Sequence, residues 1–186
     1  MTYPIYVYGH PVLRKVARDI ERDFPDLDTL IADMFETMYQ SEGLGLAAPQ
    51  IGKSLRLFVI DGEPLAEDHP EMKDFKQAFI NPRVTERRGD TVPMNEGCLS
   101  IPGIHEEVDR ESLVRIQYYD REWNFHDEVY NGYKARVVLH EYDHLDGVLF
   151  TDRLHPLRRR LLRGKLNDIG KGRFEADYRT VLPHSR

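Results

Sequence analysis

From Asp26 to Ser41 the apolar residues Leu27, Leu30, Ile31, Met34, Phe35, Met38 and Tyr39 recur at the i, i+3, i+4, i+7 spacing of one helix face. The spacing predicts an amphipathic helix over 26–41, with Asp26 as its cap and Gly43 just past its end. The period then changes. After the glycine-punctuated EGLGLAAPQIG (42–52), the run SLRLFVID (54–61) is β-branched and aromatic, which predicts a buried strand. Residues 62–76 are polar, acidic and proline-containing and predict a surface excursion. Short strand-like runs follow at 78–80, 104–108, 113–120 and 124–130, the last two joined by the turn-like DREWN into an antiparallel hairpin. NEGCLSIPG (95–103) carries too much Gly and Pro for regular structure. A second helix is predicted over 132–146, stopped by Gly147, and a third starting near Pro156. Strands and helices do not alternate, so the expectation is α+β: mostly antiparallel sheets packed around a central helix that carries an HExxH motif, with a C-terminal helix.

Composition narrows the class. A length of 186 residues supports one buried core, so 1–186 is read as a single domain with 153–186 as its basic C-terminal helix and tail. At 40% hydrophobic and 31% charged residues the chain belongs with globular proteins rather than disordered ones. No run approaches the roughly 18 apolar residues of a membrane span, and the start has neither a basic nor a continuous apolar signal region. The lone Cys98 excludes an intramolecular disulfide, and a cytoplasmic home is expected. Net charge is −6 but uneven. From Arg153 to Arg173 eight Arg or Lys stand against one acid, a local +7 that leaves the remainder at −13. No direct role on DNA is expected.

The chemistry concentrates in VVLHEYDHLDG (137–147). On a helix, i and i+4 lie one above the other, so His140 and His144 can offer two imidazoles to one cation. Glu141 is turned about 100° from His140, away from ligation and toward a water at the metal, which is the division of labour behind HExxH. An incidental pair of histidines on an amphipathic helix is the bland alternative. A third ligand downstream would be one of several acids without helical context; upstream, Cys98 offers a soft thiolate beside a glycine that permits close approach.

GLGLAAPQIG, EGCLS and HEYDH together resemble the three signature motifs of the peptide deformylases, in order and at similar separations, and PVLRKVA and LFTDRLHPLRR resemble further segments of that family. The resemblance implies Cys98, His140 and His144 as metal ligands around an open fourth position for water. It implies Glu141 as general base and acid, and the Gln50 side chain with the Leu99 N–H as oxyanion donors. Leu44, Gly45, Glu96, Tyr133, Arg136 and Val137 are then expected to line the substrate pocket, with Gly45 letting the peptide run close and the charged end of Arg136 turned outward. The implied reaction is hydrolysis of the formyl group from the N-terminal formyl-methionine of nascent polypeptides, with Fe²⁺ as the native metal and Zn²⁺, Ni²⁺ or Co²⁺ replacing it in purified protein. His105 stands where some members carry an arginine paired with a glutamate near the site. Asp143 has no role assigned. For the basic stripe Arg158, Arg159, Arg160, Arg163 and Lys165 the readings are a solvated face or a ribosome contact, the latter implied by related bacterial enzymes. Two other functions remain in view: an HExxH metallo-endopeptidase, and a degenerate ribosome-associated binding module, which would have to lack a catalytic group.

Overall fold

In the computed structural model, which describes residues 1–184, the apolar run after the first glycine-rich loop lacks polar alternation because both of its faces are covered. In β3 (Leu57–Asp61), Leu57 and Val59 join a core with α1 (Leu27–Gln40), while Phe58 and Ile60 join a second core with α2 (Gly132–Leu145). Burying each such side chain stabilises the fold by about 1.5–3 kcal/mol. The same alternation continues in β2 (Gly45–Ala47), where Leu46 faces α1 and Ala47 faces α2. These strands join β4 (Lys76–Cys98), β5 (Ile101–Tyr119) and β6 (Phe125–Asn131) in one five-stranded sheet of order β2-β3-β4-β5-β6, antiparallel throughout. A third core packs α3 (Pro156–Gly170) through Leu162, Leu166 and Ile169 against Ile101, Ile104 and Val108 of β5. Beside it, β1 (Ile5–Tyr6) and β7 (Thr180–Val181) pair in parallel as a separate two-stranded sheet. The architecture is α+β.

Several local expectations change. Asp26 is left-handed, at φ 56°, and makes no side-chain cap. At the other end of α1 the left-handed residue is Glu42 (φ 57°) rather than Gly43: the N–H groups of Glu42 and Gly43 bond Tyr39 O and Met38 O, the two bonds of a Schellman ending. The excursion at 62–76 is not wholly at the surface, because Met72 and Phe75 turn back into the α2 core. The short strands at 78–80 and 104–108 are parts of one long β4–β5 hairpin, and Asn95–Cys98 belongs to its ladder, with a register break between Gly97 and Cys98. Leu157 and Leu161 of α3 are exposed, and Leu162 carries the packing. Ser185 and Arg186, the end of the tail expected over 153–186, lie outside the described residues. No helix among the described residues is long and apolar enough to cross a membrane.

The position of α2 is set at its C-terminus. Gly147 has φ 72°, and a Cβ there would lie 2.5 Å from Arg14 O, so the chain leaves the helix at a point only glycine fits. The buried Arg56 donates to Leu145 O at 3.3 Å and to Asp146 Oδ1 at 3.0 Å, placing a cation where the last carbonyls carry partial negative charge.

Candidate metal centre and active-site cleft

His140 and His144 stand one turn apart on α2 with ring centroids 5.3 Å apart, and the end of β4 brings Cys98 to them across the chain. Cys98 Sγ lies 3.4 Å from His144 Nε2, and one donor atom from each of the three residues falls within 4.8 Å of the others. One thiol and two imidazoles at that separation suit a borderline-soft divalent cation. Burial, with the neighbouring His140 charge, holds His144 down to about 3, so its ring is neutral, the form that ligates. Two buried atoms here have no protein partner, His144 Nδ1 and Glu141 Oε2. The residues fit a metal.

His140 is oriented from behind. Its Nδ1 meets Glu96 Oε1 at 2.7 Å, which leaves Nε2 to point toward Cys98 and the cleft. Glu96 is in turn fully engaged: Arg110 donates to both its oxygens at 2.6 and 2.9 Å, and Arg136 Nη1 to Oε2 at 2.7 Å. Burial alone would push the Glu96 carboxyl up, but these contacts outweigh it and hold it well below the usual carboxylate range. Asp143 shares Arg110, at 2.8 Å, and accepts both donors of Arg153 at 2.6 and 2.8 Å. Its burial is likewise outweighed and its carboxyl is held down, so it anchors the layer behind the ligands.

One pocket expectation is corrected. The Arg136 head does not turn outward: it is buried against Glu96 and the Val92 and Val108 carbonyls, because an inward guanidinium here neutralises a buried carboxylate. Glu96 touches the cleft, yet its oxygens serve His140 and the two arginines. The cations on Glu96 are Arg110 and Arg136, while His105 stands exposed at the cleft wall.

The cleft is about 570 Å³, and Leu44, Gly45, Glu96, Tyr133, Arg136 and Val137 all line it, together with Gln50, Cys98, Leu99, His140 and Glu141. Gln50 is buried at the rear. Ala47 N–H donates to its Oε1 at 2.9 Å, fixing the amide so that Nε2 faces Cys98 Sγ at 3.4 Å and Ser100 Oγ at 3.2 Å. Glu141 is pushed up to about 7, chiefly by burial. A Cβ on Gly45 would lie 2.6 Å from Glu141 Oε1, so the missing side chain makes room for this carboxylate. The sequence reading missed Arg110, Arg153, Ser100 and the tail segment 175–178 that closes one wall. Arg110 left a signal, since it shares the inward parity of Ile104 and Val108 along β5.

An α+β fold that gathers a thiol, two imidazoles and a desolvated carboxylate at one cleft defines a metal-dependent hydrolase. The family model described as polypeptide deformylase matches residues 2–160. A peptide deformylase of Cytophaga hutchinsonii is 49% identical over 98% of this chain and 98% of its own length, and one of Christiangramia forsetii is 44% identical over 100% and 98%. The crystal structure of peptide deformylase from Thermus thermophilus superposes with a TM-score of 0.82 at 44% identity, covering 92% of this chain and 99% of that one. The chain belongs to the polypeptide deformylase family.

Proposed function

We propose that this chain removes the formyl group from the N-terminal formyl-methionine of newly made polypeptides, releasing formate, with Cys98, His140 and His144 holding one divalent metal. The observation that carries the reading is that two of the three clustered donors, Cys98 and His140, open onto the same cleft as Gln50, Leu99 and Glu141, whose buried Oε2 has no protein partner. When bound, the metal supplies Lewis-acid polarisation of the formyl carbonyl and a more acidic water. Fe²⁺ is the native ion in this reading, with Zn²⁺, Ni²⁺ or Co²⁺ taking its place in purified protein.

Glu141 takes the proton of the attacking water and returns it to the departing amine, a shuttle suited to a carboxylate whose pKa burial has moved to about 7. The Gln50 Nε2–H and the Leu99 N–H meet the charge that develops on the formyl oxygen. Leu44, Tyr133 and Val137 offer the methionine side chain an apolar wall. In this account α2 is the central element of a single domain, 1–186, and the nascent chain is the partner, met in the cytoplasm. On α3, Arg158 is already engaged by Glu106 at 2.6 Å, while Arg159, Arg160, Arg163 and Lys165 are exposed and supply a stripe for ribosome contact.

The test is formate release from a formyl-Met peptide by anaerobically purified, metal-loaded protein. Turnover that stops with a chelator and returns with metal supports the proposal; a metal-loaded protein that yields no formate contradicts it. Glu96→Gln is expected to weaken metal binding about 10- to 100-fold, read by competition with a chromophoric chelator, because the carboxylate behind His140 is lost. Gly45→Ala is expected to lower kcat about 10²-fold through displacement of the Glu141 carboxylate, with metal binding unchanged in the same titration.

A further inference from the structure

Leu99 and Ser100 form the two-residue reversal between Cys98, the last residue of β4, and Ile101, the first of β5, which face each other across it. Two-residue hairpin turns normally take positive φ at one or both central positions, supplied by glycine or asparagine, so that their twist matches the strands. Neither Leu99 nor Ser100 has positive φ, and the ladder breaks register beside them. A turn of this kind is poorly held by its own strands.

Its two carbonyls are held from outside. Leu99 O accepts the Tyr178 hydroxyl at 2.7 Å, and Ser100 O accepts the Tyr8 N–H at 2.8 Å. Both donors flank the small terminal sheet: Tyr8 lies two residues after β1 and Tyr178 two residues before β7. That sheet pairs Ile5 with Thr180 and Tyr6 with Val181, and the bonds from Ile5 N–H to Arg179 O and Val7 N–H to Val181 O extend it on both sides. Tyr178 lies past residue 160, where the family match ends, yet residues 175–178 wall the cleft. Burial, with the nearby Cys98, pushes the Tyr178 phenol up to about 12, so its hydroxyl remains a donor.

We infer that the terminal sheet clamps the Leu99–Ser100 turn and that Tyr178 is a positioning residue for the reaction, aiming the Leu99 N–H through its grip on the Leu99 carbonyl. The inference rests on the proposed role of Leu99 as an oxyanion donor. Holding this carbonyl restrains the Leu99–Ser100 peptide plane, which adjoins the Cα that carries the Leu99 N–H, and Gln50, bonded to Ser100 Oγ, is tied to the same turn. Both oxyanion donors therefore share one support. An N–H aimed at charge present only in the transition state contributes to kcat far more than to substrate binding.

Tyr178→Phe keeps the ring and removes the one hydroxyl. It is measured beside wild type and Gln50→Ala for kcat and KM on a formyl-Met peptide, for metal affinity and for melting temperature. The expected result for Tyr178→Phe is a kcat lowered about tenfold, short of the ~10²–10³ of a lost donor, with KM, metal affinity and melting temperature close to wild type. An unchanged kcat overturns the inference, and so does a loss of kcat matched by weakened metal binding or a melting temperature that falls with it, which would mark Tyr178 as purely structural. Gln50→Ala at the wild-type kcat would overturn the oxyanion reading itself, and this inference with it.

Discussion

Glu141→Gln is expected to remove almost all turnover while making the metal-free protein more stable. General acid–base groups contribute about 10²–10⁴ in rate, so kcat for formate release should fall by that factor with one equivalent of metal still bound. The stability effect follows from the same burial. A carboxyl whose folded pKa is raised, here from 4.5 to about 7, favours folding in its protonated form. The penalty is absent below the unfolded value, grows as pH rises from 4.5, and is complete above about 7. There it amounts to roughly 3 kcal/mol, and glutamine, with no charge to bury, does not incur it. Metal-free Glu141→Gln should therefore melt several degrees above metal-free wild type at pH 8, and the gap should close near pH 4. Equal melting at both pH values would show that Glu141 is not held against its own desolvation.

Arg110→Met carries the second large effect. The guanidinium is 1% exposed and bridges Glu96 and Asp143, themselves 5% and 2% exposed. Removing one partner from a buried charge network leaves the other charges uncompensated and typically costs about 3–5 kcal/mol. For a chain of this length that lowers the melting temperature by roughly 10 °C. The pH dependence has a definite sign. Glu96 and Asp143 are held below their ordinary values, so the stability they give is complete above the unfolded carboxylate range and is lost as pH falls from there through their lowered folded values. The gap between variant and wild type should be widest at pH 7 and shrink below pH 4. Because Glu96 also orients His140, metal binding should weaken alongside. Arg153→Met, at a cation 34% exposed, should cost much less. A stable Arg110→Met with full metal affinity would mean that Arg136 and Arg153 suffice.

The sequence and the structure agree where periodicity is strong. The apolar spacing of α1 and the four-residue separation of His140 and His144 each follow from 3.6 residues per turn, and both helices lie where that period puts them. The long β4–β5 hairpin was hidden because VTERRGDTVP forms a solvated ribbon with polar residues on both faces, which leaves no two-residue alternation to read. Cys98 was a candidate donor by its thiolate and the glycine beside it, but only the family motifs joined it to His140 and His144; that glycine suggested a loop, whereas the segment is a strand with a register break. Asp143 looked unassigned because its partners are 33 and 10 residues away, at Arg110 and Arg153. Such contacts belong to the packing of α2 against β5 and the chain after it, and no local pattern encodes them. The tail wall at 175–178 was unreadable too: it is an irregular segment before a two-residue strand, and neither has a period.

The proposed reaction depends on Cys98, His140 and His144 sharing one metal. The direct measurement is a titration of metal-free protein with Co²⁺ under anaerobic conditions, following thiolate-to-cobalt charge-transfer absorption in wild type and Cys98→Ser. The expected result is a charge-transfer band that saturates at one equivalent in the wild type and is missing in Cys98→Ser, with formate release rising in step with the band. A band that never forms, or formate release that reaches its maximum without it, would contradict the assignment of Cys98, His140 and His144 as the metal centre.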